Sequence, residues 1–173
     1  MTNEDARVPA LDFTAKGVEF AEWQTIVAND DLYLGSLTFQ DRSPFVTLIQ
    51  EGVTLSLRRF EDARTHALEA TFISVNRKSE IRFAFNSVVA FRLLDENGLL
   101  ELWEASAANP RPAHTTFRAR GHQWCAESML VFLDVRDEPR YSYFVATSDR
   151  CLEVVCQEEP EVMEIGPAIV AKA

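Results

Sequence analysis

At 173 residues, with 47% hydrophobic and 25% charged side chains, the chain has the size and composition of one globular domain, with enough apolar material to fold without staples. Its 27 acidic residues outnumber 17 basic ones, and the net charge of −10 repels a phosphate backbone, so nucleic acid is excluded as a favoured partner and a basic protein is favoured instead. No window approaches the roughly 20 apolar residues of a membrane-spanning helix, and no membrane partner is expected.

The first segment, 1–11, is polar and is expected to be frayed. The stretch Met1 to Phe13 has neither a basic start nor an apolar run, so no secretory leader is expected. From Phe13 to Ala28 two patterns compete. Phe20, Trp23 and Val27 suit a helix, whereas Val18 and Phe20 suit a strand, and both remain open. Asn29-Asp30-Asp31 breaks the pattern, and strands are predicted over Leu32 to Phe39, Phe45 to Gln50 and Val53 to Arg58, with turns at Ser43-Pro44 and Glu51-Gly52. Phe60 to Thr65 is charged and reads as a connection.

Ala67 to Val75 alternates as a strand, Asn76 to Ser79 turns, and Ile81 to Leu93 is the strongest strand signal of the chain. There Ile81, Phe83, Phe85, Val89, Phe91 and Leu93 take one parity, while Arg82 and Arg92 take the other. A single strand of that length would run ~43 Å, beyond the usual range, so a bend or bulge is expected, with Asn86-Ser87 as its weakest point. Phe83, Phe85, Val89 and Phe91 are expected to be buried together. The three strands from Val53 onward, with short connections, predict an antiparallel meander.

Asp95-Glu96 precedes a helical pattern formed by Leu99, Leu102, Trp103 and Ser106, and a capping role is expected of it. Pro110 and Pro112 mark a loop. A strand follows over Thr115 to Arg120, with Arg118 and Arg120 on one face, then a short helix within His122 to Phe132 and a charged proline loop over Asp134 to Arg140. Tyr141 to Ala146 and Cys151 to Cys156 form a predicted hairpin, whose glycine-free turn rules against a tight two-residue connection. Residues 161–173 are expected to be a tail on a single domain of 1–173. The fold class is mainly β, with α+β as the alternative: an antiparallel curled sheet or small β-sandwich with two or three short helices.

The order of Phe85 to Arg92 with Asp95, Glu96 and Trp103, then Phe117 through Trp124 and Glu127, then Tyr143 to Thr147 with Asp149 to Val154 and Pro160, resembles a family of small uncharacterised bacterial proteins over about residues 71–162. That family carries no established activity to transfer. Some of its relatives have the size and acidity of immunity proteins, an analogy at the level of form alone.

Chemistry-bearing residues gather in one place. Arg111, His114, His122, Cys125 and Glu127 lie within one short span, and His122 and Cys125 are three apart, one helical turn. Imidazole, thiolate and carboxylate suit zinc, but no second CxxC or HxxxH completes a ligand pattern, so neither a metal nor another cofactor is expected. A cysteine nucleophile would need a base, and no hydrolase signature surrounds Cys125. Cys125, Cys151 and Cys156 are odd in number and form no CxxC pair, which fits a reducing, cytoplasmic setting, and Cys151 and Cys156 are expected to face opposite ways on one strand. The expected function is a non-enzymatic, cytoplasmic bacterial protein-interaction module of inhibitor or immunity type. Its alternative is a small enzyme or ligand-binding barrel with a site around His114 to Glu127. A convergent polar pocket favours the latter, and an exposed, acid-rimmed patch the former.

Overall fold

The computed structural model describes residues 17–41, 48–50, 53–55, 66–95, 99–133 and 140–168. Two antiparallel sheets pack face to face. The five-stranded sheet has the order β1-β8-β9-β10-β7, from β1 (Glu19–Glu22), β7 (Val88–Asp95), β8 (Thr116–Arg120), β9 (Ser142–Ala146) and β10 (Arg150–Cys156). The four-stranded sheet has the order β11-β6-β5-β2, from β2 (Leu32–Asp41), β5 (His66–Ser74), β6 (Ser79–Phe85) and β11 (Glu161–Pro167). A separate hairpin joins β3 (Leu48–Gln50) to β4 (Val53–Leu55). Neither sheet closes into a barrel.

Between the sheets lies an aromatic core. Trp23 is central to it, with its ring 5.9 Å from Phe83, 6.4 Å from Phe85 and 4.9 Å from Tyr143, so one side chain ties β6 to β9 across the sandwich. Leu68, Ala70 and Phe72 face Leu152, Val154 and Cys156 in the same cluster. The helices cover the other face of the five-stranded sheet. α1 (Leu100–Ala108) brings Leu102, preceded by Leu99, onto Phe117, Phe144 and Cys151. α2 (Gln123–Glu127) and α3 (Met129–Phe132) bring Cys125 and Phe132 onto Val155. The result is three layers: the four-stranded sheet, the five-stranded sheet and the helices. β10 is consequently buried from Cys151 to Cys156 without alternation, whereas β6 alternates strictly.

The Ile81–Leu93 pattern divides into two strands. β6 ends at Phe85 in one sheet, and the chain crosses at Asn86-Ser87, where Ser87 takes a left-handed φ of 51°. β7 then begins in the other sheet, and of the predicted three-strand meander from Val53 only the β5–β6 pair forms: β4 pairs with β3 in its own hairpin, and β5 takes β2 as its other neighbour. Val89 is the extra residue of a β-bulge, because Cys156 pairs with Val88 and Val155 with Ala90. The bulge breaks the expected parity at Val88 and Val89, the first buried and the second 43% exposed, while Phe91 still packs on the core but is only partly buried. Arg82 and Arg92 accordingly lie in different sheets rather than on one face.

Within the ambiguous stretch Phe13 to Ala28, Glu19–Glu22 forms strand β1, with Phe20 opposite Ala119 on β8, residues 26–29 form a turn, and residues 13–16 fall outside the described residues. Glu161–Pro167, expected as tail, pairs with β6 as an edge strand. Asp95 ends β7 opposite Arg150, Leu99 rather than Asp95 occupies the position before α1 and offers no side-chain cap, and Glu96 falls outside the described residues. The hairpin between β9 and β10 has the expected longer turn, closed by Thr147 N–H donating to Arg150 O (2.8 Å). Expectations for 1–11, Ser43-Pro44, Glu51-Gly52, Phe60 to Thr65 and the charged part of 134–139 fall outside the described residues. Among the described residues no helix is long and apolar enough to cross a membrane.

Candidate functional site

The five predicted site residues separate into three places. His122 and Cys125 come together in the core beneath α2. Gly121, at a left-handed φ of 77°, turns the chain from β8 into that helix and drops the His122 ring onto the helix-side face of the sheet. Ring edges of Phe132 and Phe144 enclose it, at 5.6 and 6.0 Å. Its Nε2 lies 2.8 Å from Glu153 Oε1, and its Nδ1 lies 3.5 Å from Cys125 Sγ.

Glu153 is the hub of this cluster. It sits on β10, where even-numbered residues face the other sheet and odd-numbered ones face the helices. The Ser142 hydroxyl donates to its Oε1 (2.6 Å) and Arg92 Nε donates to its Oε2 (2.6 Å). The Arg92 guanidinium also stacks on the Trp124 ring at 4.6 Å. His122, Cys125 and Glu153 are all 0% exposed. A carboxylate in that position needs a counter-charge, and Arg92 and His122 supply it. Burial acts to lower the His122 pKa, but hydrogen bonds to Cys125 and Glu153, and the charge of Glu153, outweigh it and raise the pKa to about 9. At neutral pH the ring is therefore an imidazolium that donates to Glu153 and points its second N–H at the Cys125 sulfur.

Sulfur, imidazole and carboxylate in a row are the components of a nucleophile, a base and its orienting group. Here the row is sealed. Sγ has no solvent exposure, and Phe132 and Trp124 pack at the helix side. The arrangement can hold α2 and α3 on the sheet, with its chemistry-bearing atoms buried. Glu127, expected beside these residues, is exposed on the outer side of α2, where it accepts from Gln123 Nε2 (2.7 Å). Among the described residues no three of His, Cys, Asp and Glu converge in a way that could hold a metal ion.

Arg111 and His114 lie elsewhere, in the loop between α1 and β8. That loop borders a cleft of about 560 Å³, whose walls include Asn29, Asp31, Trp103, Arg111, His114 and Ser148. His114 Nδ1 is 2.7 Å from Asn29 Oδ1, and the Thr115 hydroxyl donates to Asp30 O (2.7 Å), so the loop is anchored to the chain just before β2. The Arg111 guanidinium is stacked on Trp103 (4.5 Å) and Phe117 (4.9 Å). Its pKa is lowered by burial, partly offset by Cys151.

A further surface lies at the open edge of the sandwich. Phe39 of β2 meets Phe91 of β7, with ring centroids 5.2 Å apart. With His66, Val88, Val89 and Ala90 they line a groove of about 310 Å³. Phe39 is 44% exposed and Leu93 36% exposed, so the apolar row continues along β7.

Sequence reasoning missed Glu153, Ser142 and Arg92 as partners of His122. One signal was available: Glu153 is the only charged residue between Cys151 and Cys156, inside an otherwise apolar run. The three thiols are free and buried, with Cys151 and Cys156 on opposite faces as expected. Burial pushes the Cys156 thiol up to about 12, and it donates to Glu158 O (3.1 Å). Comparison of the chain with family models, with curated proteins and with solved structures returned no match.

Proposed function

We propose that the chain is a non-enzymatic protein-interaction module that receives a basic partner at the open edge of its sandwich, in the manner of an inhibitor or immunity protein. The observation that carries this is the apolar row of Phe39, Val89, Phe91 and Leu93 on the adjoining edges of the two sheets. An exposed apolar strip on an edge strand is a common place for a second chain to dock. Acids stand at both ends of it: Glu158, held by the Ser87 hydroxyl (3.0 Å), at the start of β7, and Asp95 at its end. With a net charge of −10 behind them, a basic surface is the complementary one. The enzymatic alternative loses its support at His122 and Cys125, because the groups that would react are enclosed.

The test is affinity capture from cells of the source organism, with the wild type beside Val89→Glu. Val89 is a bulge residue whose side chain leaves the core, so the variant keeps the fold. A single basic protein that the wild type retains, the variant loses and high salt releases supports the reading. An acidic partner, or binding indifferent to both the substitution and ionic strength, overturns it.

A further inference from the structure

The cleft beside the α1–β8 loop belongs neither to the apolar edge nor to the buried ion network. We propose that it binds a small carboxylate that also carries a hydrogen-bond donor, a free amino acid being the simplest case, with Arg111 as its two-point clamp.

The first ground is the state of Arg111. Its guanidinium is held in place by Trp103 and Phe117, so its side-chain entropy is already spent before a ligand arrives. Its one hydrogen bond among the described residues is a long one, Nη1 to His114 O at 3.3 Å. The other N–H groups of the fork meet no acceptor among the described residues. Arg77, Arg82, Arg92 and Arg120 behave differently, with carboxylates at 2.7, 3.9, 2.6 and 2.7 Å respectively. In a chain this rich in acid, Arg111 has no carboxylate partner among the described residues, although it stands at the wall of a cleft. A planar fork in that condition suits a carboxylate, which takes two parallel N–H bonds.

The second ground is the rest of the wall. The hydroxyls of Thr115 and Thr147 are engaged within the protein, the first on Asp30 O and the second on Arg150 O. Ser148 is exposed and keeps its hydroxyl for a ligand, and His114 keeps the ring nitrogen opposite its Asn29 contact. Asp30 is matched by Arg77 and by the Ser74 hydroxyl, whereas the Asp31 carboxylate meets no side-chain partner among the described residues. An ammonium or amide donor on the ligand has Asp31 to meet. The same aspartate disfavours a phosphate dianion, which would face a carboxylate while gaining only one arginine.

The experiment is titration of the isotopically labelled full chain with free amino acids, acetate and inorganic phosphate, following the Trp103 indole and Ser148 amide signals by NMR. Saturable shifts with at least one amino acid are expected, with phosphate without effect. Arg111→Lys keeps the charge and loses the fork, and should weaken binding at least about tenfold. Ala113→Phe fills the cleft without touching Arg111, and should also abolish the shifts, which keeps the test decisive if the arginine variant is unstable. Absence of saturation by every amino acid, tighter binding of phosphate, or unchanged affinity in both variants overturns the proposal.

Discussion

The two sheets are built from the same kind of strand and differ in how many faces they bury. The four-stranded sheet buries one. On β6 the residues Ile81, Phe83 and Phe85 face inward, while Arg82, between them, reaches Glu69 and the Met163 sulfur on the outside. The five-stranded sheet is covered twice, by the other sheet and by the helices, and its inner strand β10 has no solvent side to give a charge to. Glu153 is nevertheless placed there, and the structure answers with Arg92, Ser142 and His122. A sheet covered once can discard polar side chains to water. A sheet covered twice must satisfy each of them internally, which makes every such residue costly to disturb.

That comparison is sharpest at Glu153 and Phe83. Glu153→Ala should destabilise the chain by about 3–5 kcal/mol, because it strands a buried imidazolium and a guanidinium. Phe83→Ala should cost a similar ~3–5 kcal/mol through a cavity beside Trp23 and Phe72. Chemical denaturation measures both. A Glu153→Ala midpoint equal to wild type would mean that the network is no more than incidental.

The next effect separates the sheets by pH. The folded His122 pKa of about 9 lies above the ordinary value of 6.5. The stabilisation from its proton is therefore complete below about pH 6.5, falls as pH rises through the window, and is gone above about pH 9, with up to ~3 kcal/mol at stake. Unfolding free energies measured from pH 6 to 9.5 should decline in the wild type, and His122→Gln should flatten that part of the curve. Substitutions in the four-stranded sheet should leave its shape alone.

Smaller effects test the bulge. Phe91→Ala should cost less than Phe83→Ala, on the order of 2 kcal/mol, because its ring is only partly buried. Val89→Ala should stay within about 0.5 kcal/mol. Equal costs at Val89 and Val88 would contradict the register of β7 and β10.

Local pattern determined a good deal of this protein. Alternation located most of the strands, including the buried parity of β6. The helical face of Leu99, Leu102 and Trp103 and the β9–β10 hairpin were also legible, because short-range periodicity and turn chemistry carry them. Asn86-Ser87 was recognisable as the weak point of the longest run. What that break did was not recognisable: two strands in different sheets and one strand with a kink leave the same local trace. The bulge at Val89, which reversed the burial of Val89, is a property of the pairing with β10 rather than of β7. Edge pairing likewise turned 161–167 into a strand and decided β1.

The candidate sites show the same division. Nearness in sequence placed Arg111, His114, His122, Cys125 and Glu127 in one group, and the fold sent them to a cleft, the core and the solvent. His122 and Cys125 stayed together because one helical turn joins them. Glu153, thirty-one positions from His122, became its partner because β10 runs beneath α2. Side-chain chemistry and local periodicity are written along the chain. Which acid faces which base, and which thiol faces water, depends on long-range packing, and the tertiary structure alone decided it.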